Sequence, residues 1–169
     1  MRPSDDRAVL EPVANEADLG LVDGLAQLTF AVHGVLARIA AANGLSVVQA
    51  RLLGILRDRQ PTINELAGFL QLDKSSVTGL VDRAEGRGLV RRARSTVDGR
   101  SVHVSITDSG RCLLDQATSA FGSEVADLVA DLTAAQRDHL SVTSTIIVAA
   151  DGRRRGTDIF AIEPSQTEP

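Results

Sequence analysis

The sequence predicts a mainly α-helical protein that carries one small β-hairpin. Along most of the chain, apolar residues recur at intervals of three and four, which is the spacing of one face of an amphipathic helix. Between Val90 and Thr107 the spacing changes to alternation, which is typical of a strand with one buried face. Capping residues before the apolar runs and glycines after them divide the helical part into six segments.

The first three predicted helices lie upstream of residue 73. The first carries apolar residues at helical spacing from Leu19 to Ile39 and ends at Asn43-Gly44. Its apolar stripe must be covered by another surface. Two capping-box patterns open the second and third helices, namely Ser46 with Gln49 and Thr62 with Glu65.

A fourth helix and the hairpin follow. Asp73 is a typical N-cap residue, and the helix that it opens is predicted to end at Gly86 and Gly88. The early turns of this helix combine small polar and charged residues, which would let its backbone approach a surface closely. Asp98-Gly99 is a strong turn signal, so residues 90–107 are predicted to form two antiparallel strands.

Two longer helices complete the ordered part of the chain. The fifth begins after residue 107 and continues for about 24 residues. The sixth is capped by Thr133 with Gln136 and is expected to end near Ala150. Cys112 lies among apolar residues of the fifth helix and is expected to be buried and inert.

The composition is typical of a soluble globular domain. The 169 residues include 43% hydrophobic and 24% charged residues, and no apolar run is expected to reach the ~18 to 20 residues that span a bilayer. We therefore expect no membrane contact. The single cysteine and the absence of a secretion-signal pattern indicate the cytoplasm. An aromatic content of 2% argues against single-stranded nucleic acid binding through stacked bases.

The order of the elements predicts a winged helix-turn-helix at about residues 45–107. Two short helices joined by a tight turn are followed by a hairpin, so the second of these helices would enter a major groove. Helices at about 17–43 and 108–150 have more apolar surface than this unit can cover, which predicts a helical dimerisation region and a homodimer. Residues 17–150 would form one domain between loose tails at 1–16 and 151–169.

The charge distribution supports contact with a polyanion. The formal net charge is -4, yet residues 74–100 contain seven basic and three acidic residues, which gives this window +4 and the remainder -8. Such polarity suits a protein that presents one face to nucleic acid. A solvated charged surface is the alternative interpretation of the same run.

The sequence from Thr78 to Gly110 resembles the MarR family of transcription regulators. The similarity lies in TGLVDRAEGRGLVRRARSTVDGRSVHVSITDSG, which has no gap against the family pattern. Matching positions are Asp82-Arg83, Gly88-Leu89-Val90, Arg92, Asp98, Arg100, Thr107 and Gly110. Two upstream pieces are also similar to the family, LSVVQARLLGIL and INELAGFLQLD, so that the resemblance covers about residues 19–150.

The resemblance implies a dimeric, ligand-sensitive DNA-binding protein, usually a repressor of genes for drug efflux, catabolism or stress response. The fourth helix would read the major groove of a pseudo-palindromic operator. Arg100 would enter the minor groove with Asp98 holding its guanidinium, since arginine suits a narrow minor groove. The remaining implied DNA contacts are Ser75, Ser76, Thr78 and Arg83 on the helix, with Lys74, Arg91, Arg92 and Arg94 mainly on phosphates.

The chain departs from the family pattern at two positions of the fourth helix. Gly79 stands where many members carry arginine or another polar residue, and Ala84 replaces a frequent leucine. These differences imply an altered sequence preference. The first helix also lacks the reactive cysteine of the peroxide-responsive members.

The resemblance further implies a small aromatic acid or another lipophilic anion as effector. Arg83 and Arg92 are candidate partners for such an anion, and His33 is a third candidate, for which a structural role is the alternative. His33, His103 and His139 are far apart and have no cysteine partners at metal-ligand spacing, so neither a metal site nor a cofactor is expected.

An enzyme is not expected, because the chain has no Gly-rich phosphate loop and no H-E-x-x-H or G-x-S-x-G motif. The alternative function is that of a dimeric winged-helix module that binds a protein and not a specific DNA sequence. Salt dependence of duplex binding separates these two hypotheses.

Overall fold

The computed structural model describes residues 18–94 and 101–156. Within these ranges the protein has six α-helices and a two-stranded antiparallel hairpin, which confirms the predicted fold class. The elements are α1 Gly20–Ala42, α2 Val47–Leu56, α3 Ile63–Leu70, α4 Lys74–Gly86, β1 Val90–Arg94, β2 Val102–Ile106, α5 Asp108–Leu128 and α6 Ala134–Arg154.

The predicted capping residues fix where the helices begin. Ser46, Thr62 and Thr133 each form a complete capping box with the residue three positions later. Asp73 caps α4 through the Ser76 amide, and its oxygen lies 2.9 Å from that nitrogen. Thr107 caps α5 in the same way, although this cap was not among the predicted ones.

The end of α6 differs from the prediction. The helix continues to Arg154, past the predicted end near Ala150. The Arg155 guanidinium bonds the Asp151 carboxylate one turn earlier, at 2.8 and 3.0 Å, and so extends the helical end. The chain leaves the helix at Gly156, where φ is +65° and a residue with a side chain is disfavoured.

The main core lies inside the winged helix-turn-helix. Its largest fully buried side chains come from α2, α3, α4 and both strands, and they are Leu52, Leu53, Leu56, Leu66, Val77, Val81, Val90 and Val104. A second, smaller cluster joins α1 to α5 through Val35, Ile39 and Ala117. Both clusters are formed without any residue of α6.

The hairpin is held against the loop between α2 and α3. The two strands pair in one register, from Val90 opposite Ile106 to Arg94 opposite Val102. The Val104 amide donates to the Pro61 carbonyl at 2.9 Å, and the His103 ring nitrogen Nδ1 lies 2.6 Å from the Gln60 carbonyl. Because a two-stranded hairpin is marginally stable alone, these bonds explain how it keeps its place.

The matching positions Gly88, Leu89, Thr107 and Gly110 form a joint between the hairpin and α5. The Thr107 hydroxyl donates to the Gly88 carbonyl at 2.7 Å, and the Thr107 amide donates to the Leu89 carbonyl at 3.0 Å. A Cβ atom on Gly110 would lie 2.1 Å from the Leu89 carbonyl oxygen. The chain therefore requires glycine at this position.

The position of Cys112 corrects a prediction. Its side chain is exposed, and the Gln116 amide donates to its sulfur at 3.7 Å. The buried face of α5 carries Gly110, Leu114 and Ala117, and Cys112 lies about 200° around the helix from Gly110 and from Leu114. A thiol there cannot join the core.

Large apolar side chains remain exposed on α1 and α6. They include Leu21, Val22, Leu25 and Phe30 on α1, and Val142, Ile146, Ile147 and Val148 on α6. By length and composition α1 is apolar enough to cross a membrane, a test that a core helix also passes. This corrects the expectation that no segment would do so, and the reason is that α1 contains only two charged residues, Asp23 and Arg38, among its 23 residues.

Candidate nucleic-acid interface

The helix α4 presents one apolar face to the core and one small, polar face to solvent. Val77, Leu80, Val81 and Ala84 are buried against the other elements. Lys74, Ser75, Ser76 and Arg83 are exposed, as predicted from the sequence. Ser75 and Gly79 lie one turn apart at the centre of the outward face, so no large side chain would hold the α4 backbone away from a groove.

The N-terminus of α4 holds a cluster of hydroxyls around one carboxylate. The Ser75 hydroxyl donates to Asp73 Oδ1 at 2.5 Å, and the Ser76 hydroxyl donates to Asp73 Oδ2 at 2.6 Å. These hydroxyl bonds and the bond from the Ser76 amide lower the pKa of Asp73 well below its ordinary value. Asp73 is consequently ionised at neutral pH, and both of its oxygens accept hydrogen bonds.

Thr78 and Gly79 lie one turn further along the same helix. Both residues are half-buried. The Thr78 hydroxyl donates to the Lys74 carbonyl at 2.8 Å. A Cβ atom on Gly79 would meet only the Arg83 guanidinium, at an ordinary contact distance of 3.4 Å. The missing side chain at Gly79 therefore opens space on the outward face without being required by packing.

Arg92 connects the hairpin to α4. Its guanidinium bonds Asp82 Oδ1 at 2.7 Å and Glu85 Oε2 at 2.5 Å, and its backbone amide donates to Glu85 Oε1 at 3.0 Å. Partial burial disfavours the charged form, but the two carboxylates outweigh it and raise the pKa of Arg92. Arg92 is thus held between two elements of its own chain.

The other arginines of β1 have different surroundings. Arg91 is exposed and its Nε donates to the Ser105 hydroxyl across the hairpin at 3.1 Å. Arg94 is exposed and has no ion pair within the described part of the chain. Arg94 is thereby the β1 arginine whose charge is most available to a partner.

The predicted minor-groove residues Asp98 and Arg100 lie outside the described residues, as does the predicted turn at Asp98-Gly99. The strands that flank this segment, β1 and β2, are antiparallel partners as predicted. The assignment of Arg100 to the minor groove stays a prediction from the sequence.

The three candidate effector residues lie on three elements. His33 is exposed on α1, Arg83 is exposed on α4, and Arg92 is held by carboxylates on β1. Within residues 18–94 and 101–156, no group of three or more His, Cys, Asp and Glu residues could hold a metal ion. The three histidines lie on α1, β2 and α6.

Sequence reasoning missed two contacts that fix α4. One is the carboxylate pair around Arg92, for which the acidic residues at helical spacing, Asp82 and Glu85, were the available signal. The other is the Arg87 guanidinium, which donates to the Gly44 carbonyl at 2.7 Å and ties the end of α4 to the turn after α1. The Arg87 contact joins residues that are 43 positions apart in the chain, so no local pattern reports it.

A family model described as the MarR family matches residues 43–101 of this chain. A similar curated protein is the HTH-type transcriptional regulator PecS of Dickeya dadantii (strain 3937), 23% identical over 124 residues, with 71% of this chain and 75% of PecS covered. The HTH-type transcriptional repressor YetL of Bacillus subtilis (strain 168) is 26% identical over 110 residues, with 63% of this chain and 66% of YetL covered. Three further curated relatives are at least 34% identical to this chain but are matched over less than half of their own length.

Solved structures show the same fold. RV1404 from Mycobacterium tuberculosis superposes with a TM-score of 0.68 at 25% identity, covering 84% of this chain and 99% of RV1404. CouR from Rhodococcus jostii RHA1, bound to p-coumaroyl-CoA, gives 0.66 at 23% identity, covering 76% of this chain and 89% of CouR. A MepR mutant of S. aureus bound to an oligodeoxyribonucleotide gives 0.56 at 21% identity, covering 75% of this chain and 94% of MepR. The curated relatives carry the names of transcription regulators, in agreement with the prediction that this chain is not an enzyme.

Proposed function

The chain belongs to the MarR family of winged helix-turn-helix regulators, which act on transcription by binding DNA, and we propose that it is a ligand-responsive repressor. It binds a pseudo-palindromic duplex operator as a homodimer in the cytoplasm. The observation that carries this proposal is the outward face of α4, where small and polar side chains lie between the exposed cations Lys74 and Arg83, next to a hairpin strand that adds exposed Arg91 and Arg94.

In this proposal α4 lies in the major groove. Lys74 and Arg83 are exposed cations at its two ends and approach phosphates or guanine, while Ser75, Ser76 and Thr78 face base edges. On the hairpin, Arg91 and Arg94 contact the DNA backbone. In addition to any phosphate contact, Arg92 holds the hairpin against α4, because its guanidinium is bonded to Asp82 and Glu85.

Arg100 enters the minor groove and Asp98 orients it. This part of the proposal is supported by the sequence alone, where the two residues match the family pattern around the wing. The flanking strands β1 and β2 pair as a hairpin, which is compatible with this assignment of Arg100 and Asp98.

The homodimer is supported by the apolar side chains that α1 and α6 leave exposed. Within the described chain, α6 makes few contacts with other elements, although it is 21 residues long. A symmetric partner that covers both helices would place two copies of α4 toward a two-fold symmetric site.

The effector is proposed to be a small aromatic or lipophilic anion, with His33, Arg83 and Arg92 as candidate contacts. The structure of CouR contains p-coumaroyl-CoA, which gives precedent for an acidic aromatic ligand in this fold. YetL is named a transcriptional repressor, which supports negative regulation of transcription by this chain.

The test is a duplex-binding measurement on the DNA upstream of the protein's own coding sequence across a range of salt concentrations. With about five phosphate contacts, log K should fall by ~0.9 per contact for each tenfold rise in salt. Arg100→Ala should weaken binding severely, and Arg137→Ala, an exposed α6 arginine, is the control that should leave it unchanged.

If no duplex is bound at low salt, the protein-interaction module becomes the better hypothesis. Binding that Arg100→Ala leaves unchanged would remove the minor-groove assignment alone.

A further inference from the structure

We infer that the hydroxyls on the outward face of α4 recognise base edges that carry hydrogen-bond donors, adenine N6 and cytosine N4, and that they do not contact phosphate or guanine. This inference rests on the proposed function, in which α4 enters the major groove. It concerns three side chains, Ser75, Ser76 and Thr78.

The two serine hydroxyls both donate their hydrogen bonds to Asp73. Ser75 Oγ and Ser76 Oγ lie 2.5 and 2.6 Å from different oxygens of Asp73. An ionised carboxylate has no proton to give, so the hydrogen in each bond must come from the serine. The low pKa of Asp73 keeps the carboxylate in this form at any physiological pH.

The Thr78 hydroxyl also donates its hydrogen bond within the chain. Thr78 Oγ1 lies 2.8 Å from the Lys74 carbonyl oxygen. A carbonyl accepts and never donates, so the threonine hydrogen is also committed inside the chain. All three hydroxyls on the face of α4 proposed to meet DNA are therefore donors to their own helix terminus or backbone.

The three hydroxyls can still accept hydrogen bonds from a partner. A hydroxyl has one hydrogen and two lone pairs, so each of the three presents only acceptor capacity outward. Ser75 and Ser76 are exposed, and Thr78 is half-buried with its oxygen turned back along the helix. A partner atom that bonds these oxygens without breaking an internal bond must carry its own hydrogen.

The groups that DNA presents at the major groove differ in whether they donate or accept hydrogen bonds. Phosphate oxygens and the N7 and O6 atoms of guanine only accept, whereas the exocyclic amines of adenine and cytosine donate. The methyl group of Thr78 adds a surface that suits the C5-methyl group of thymine, the partner of adenine. Contact with acceptor groups is left to Lys74 and Arg83, which have no ion pair within the described residues.

Asp73 gains a second role from this arrangement. An exposed carboxylate near DNA would repel phosphates, but here three donors from Ser75 and Ser76 neutralise part of its charge. Asp73 is thus a positioning residue that sets the polarity of two neighbouring hydroxyls. Its own contact with DNA is not required.

The test begins with the operator, selected from random duplexes by the full-length protein. Single base pairs are then replaced by analogues that lack the major-groove amine, purine for adenine and 2-pyrimidinone for cytosine. Each duplex is measured with wild type and with the Ser75→Ala/Ser76→Ala double variant. Because both proteins meet the same weakened base pair, the difference between them isolates the hydroxyl contact.

We expect the analogue to weaken wild-type binding more than variant binding at one or two positions, by about two- to twelvefold, the range of one hydrogen bond. The salt slope of the double variant should equal that of wild type. Lys74→Gln is the matched control on the same turn, and it should reduce that slope by about 0.9.

Asp73→Asn gives an independent test with a variant that keeps a good N-cap. The amide has one acceptor oxygen in place of two, so one serine hydrogen is released toward the groove. We expect tolerance of guanine to rise at the position that adenine or cytosine occupied. Unchanged tolerance, with circular dichroism showing unchanged helical content, would overturn the inference.

Three other results would also overturn it. These are loss of specificity in the double variant at operator positions that hold guanine, sensitivity to 7-deazaguanine that the double variant abolishes, and a reduced salt slope in the double variant. If selection enriches no duplex at all, the proposed function itself fails and the inference falls with it.

Discussion

At the scale of single residues, Arg92 and Arg94 have the same type of side chain but opposite surroundings. They lie two positions apart on β1, so their side chains leave the same face of the hairpin. Arg92 is bonded to two carboxylates of α4 and its side chain is 25% exposed, whereas Arg94 is exposed without an ion pair in the described chain. The same substitution at the two positions should therefore have different effects.

Arg92→Gln should lower the free energy of unfolding by about 1–2 kcal/mol, because it leaves two carboxylates without their partner while Asp82 stays well exposed to water. Arg94→Gln should change it by less than about 0.5 kcal/mol. Urea unfolding measures both. Both variants should bind duplex DNA more weakly, and equal losses of stability would contradict the supporting role of Arg92.

The sequence predicted which residues of α4 are exposed, but it could not predict the partners of Arg92. The exposed positions of Lys74, Ser75, Ser76 and Arg83 follow from helical spacing, since the apolar residues of α4 define the opposite face. The partners of Arg92 depend on how the hairpin packs on α4. Cys112 was misplaced because three consecutive residues, Cys112 to Leu114, are all apolar and cannot all face the core.

At the scale of elements, Gly110 and Gly79 form a matched pair of helical glycines. A Cβ atom on Gly110 would clash with the Leu89 backbone at 2.1 Å, whereas one on Gly79 would make an ordinary contact. Gly110→Ala should destabilise the protein by about 2–3 kcal/mol, because backbone atoms must move. Gly79→Ala should be neutral or should stabilise it by up to about 1 kcal/mol. Thermal and urea unfolding of both variants measure this, and a mild effect at Gly110 would show that the joint is adaptable.

The start of α4 should give an acid-dependent contribution to stability. The pKa of Asp73 is lower in the folded protein than its ordinary value of 3.8, because the Ser75 and Ser76 hydroxyls and the Ser76 amide donate to it. A lowered folded-state pKa stabilises the fold above the unfolded pKa, and the gain is lost as pH falls below it. The stability difference between wild type and Asp73→Asn should therefore be greatest above about pH 5 and should shrink on acidification.

A carboxyl titration followed by NMR gives the direct measurement for Asp73. Ser75→Ala/Ser76→Ala should return the pKa of Asp73 toward 3.8, since the two hydroxyl donors are gone. An unchanged titration in this variant would contradict the assigned cause.

Element boundaries were predicted well where a side chain caps the helix and poorly where only a composition cue was present. Ser46, Thr62, Asp73 and Thr133 satisfy amide groups in the first turn, and that chemistry is local. The end of α6 was predicted four residues too early, because Asp151-Gly152 resembles a stop when the Arg155 bond to Asp151 is not considered.

At the scale of the whole molecule, the exposed apolar surface of α1 and α6 predicts a dimer in solution. Leu25→Asp and Ile146→Asp place a charge where side chains are 44% and 60% exposed in the single chain. If a second copy covers them, each variant should shift sedimentation from dimer toward monomer with helical content retained. Val102→Asp is the control, because Val102 is similarly exposed at 37% but lies on the hairpin.

A monomeric wild type would contradict the dimer, and so would charged variants that sediment as wild type does. The sequence predicted this surface from the excess of apolar stripe on the long helices. It could not predict how two copies meet, since that depends on the shapes of both surfaces.

Lys74, the first residue of α4, is also the only lysine among the 169 residues, because the other basic side chains are arginines and histidines. The side-chain reactivity of the protein toward amine reagents is therefore concentrated at one exposed point. A fluorophore or crosslinker that targets lysine side chains will attach there, and an acylating reagent will remove the charge of that residue alone. The surface proposed to read DNA is thus the one surface of this protein that lysine chemistry can label, track or silence.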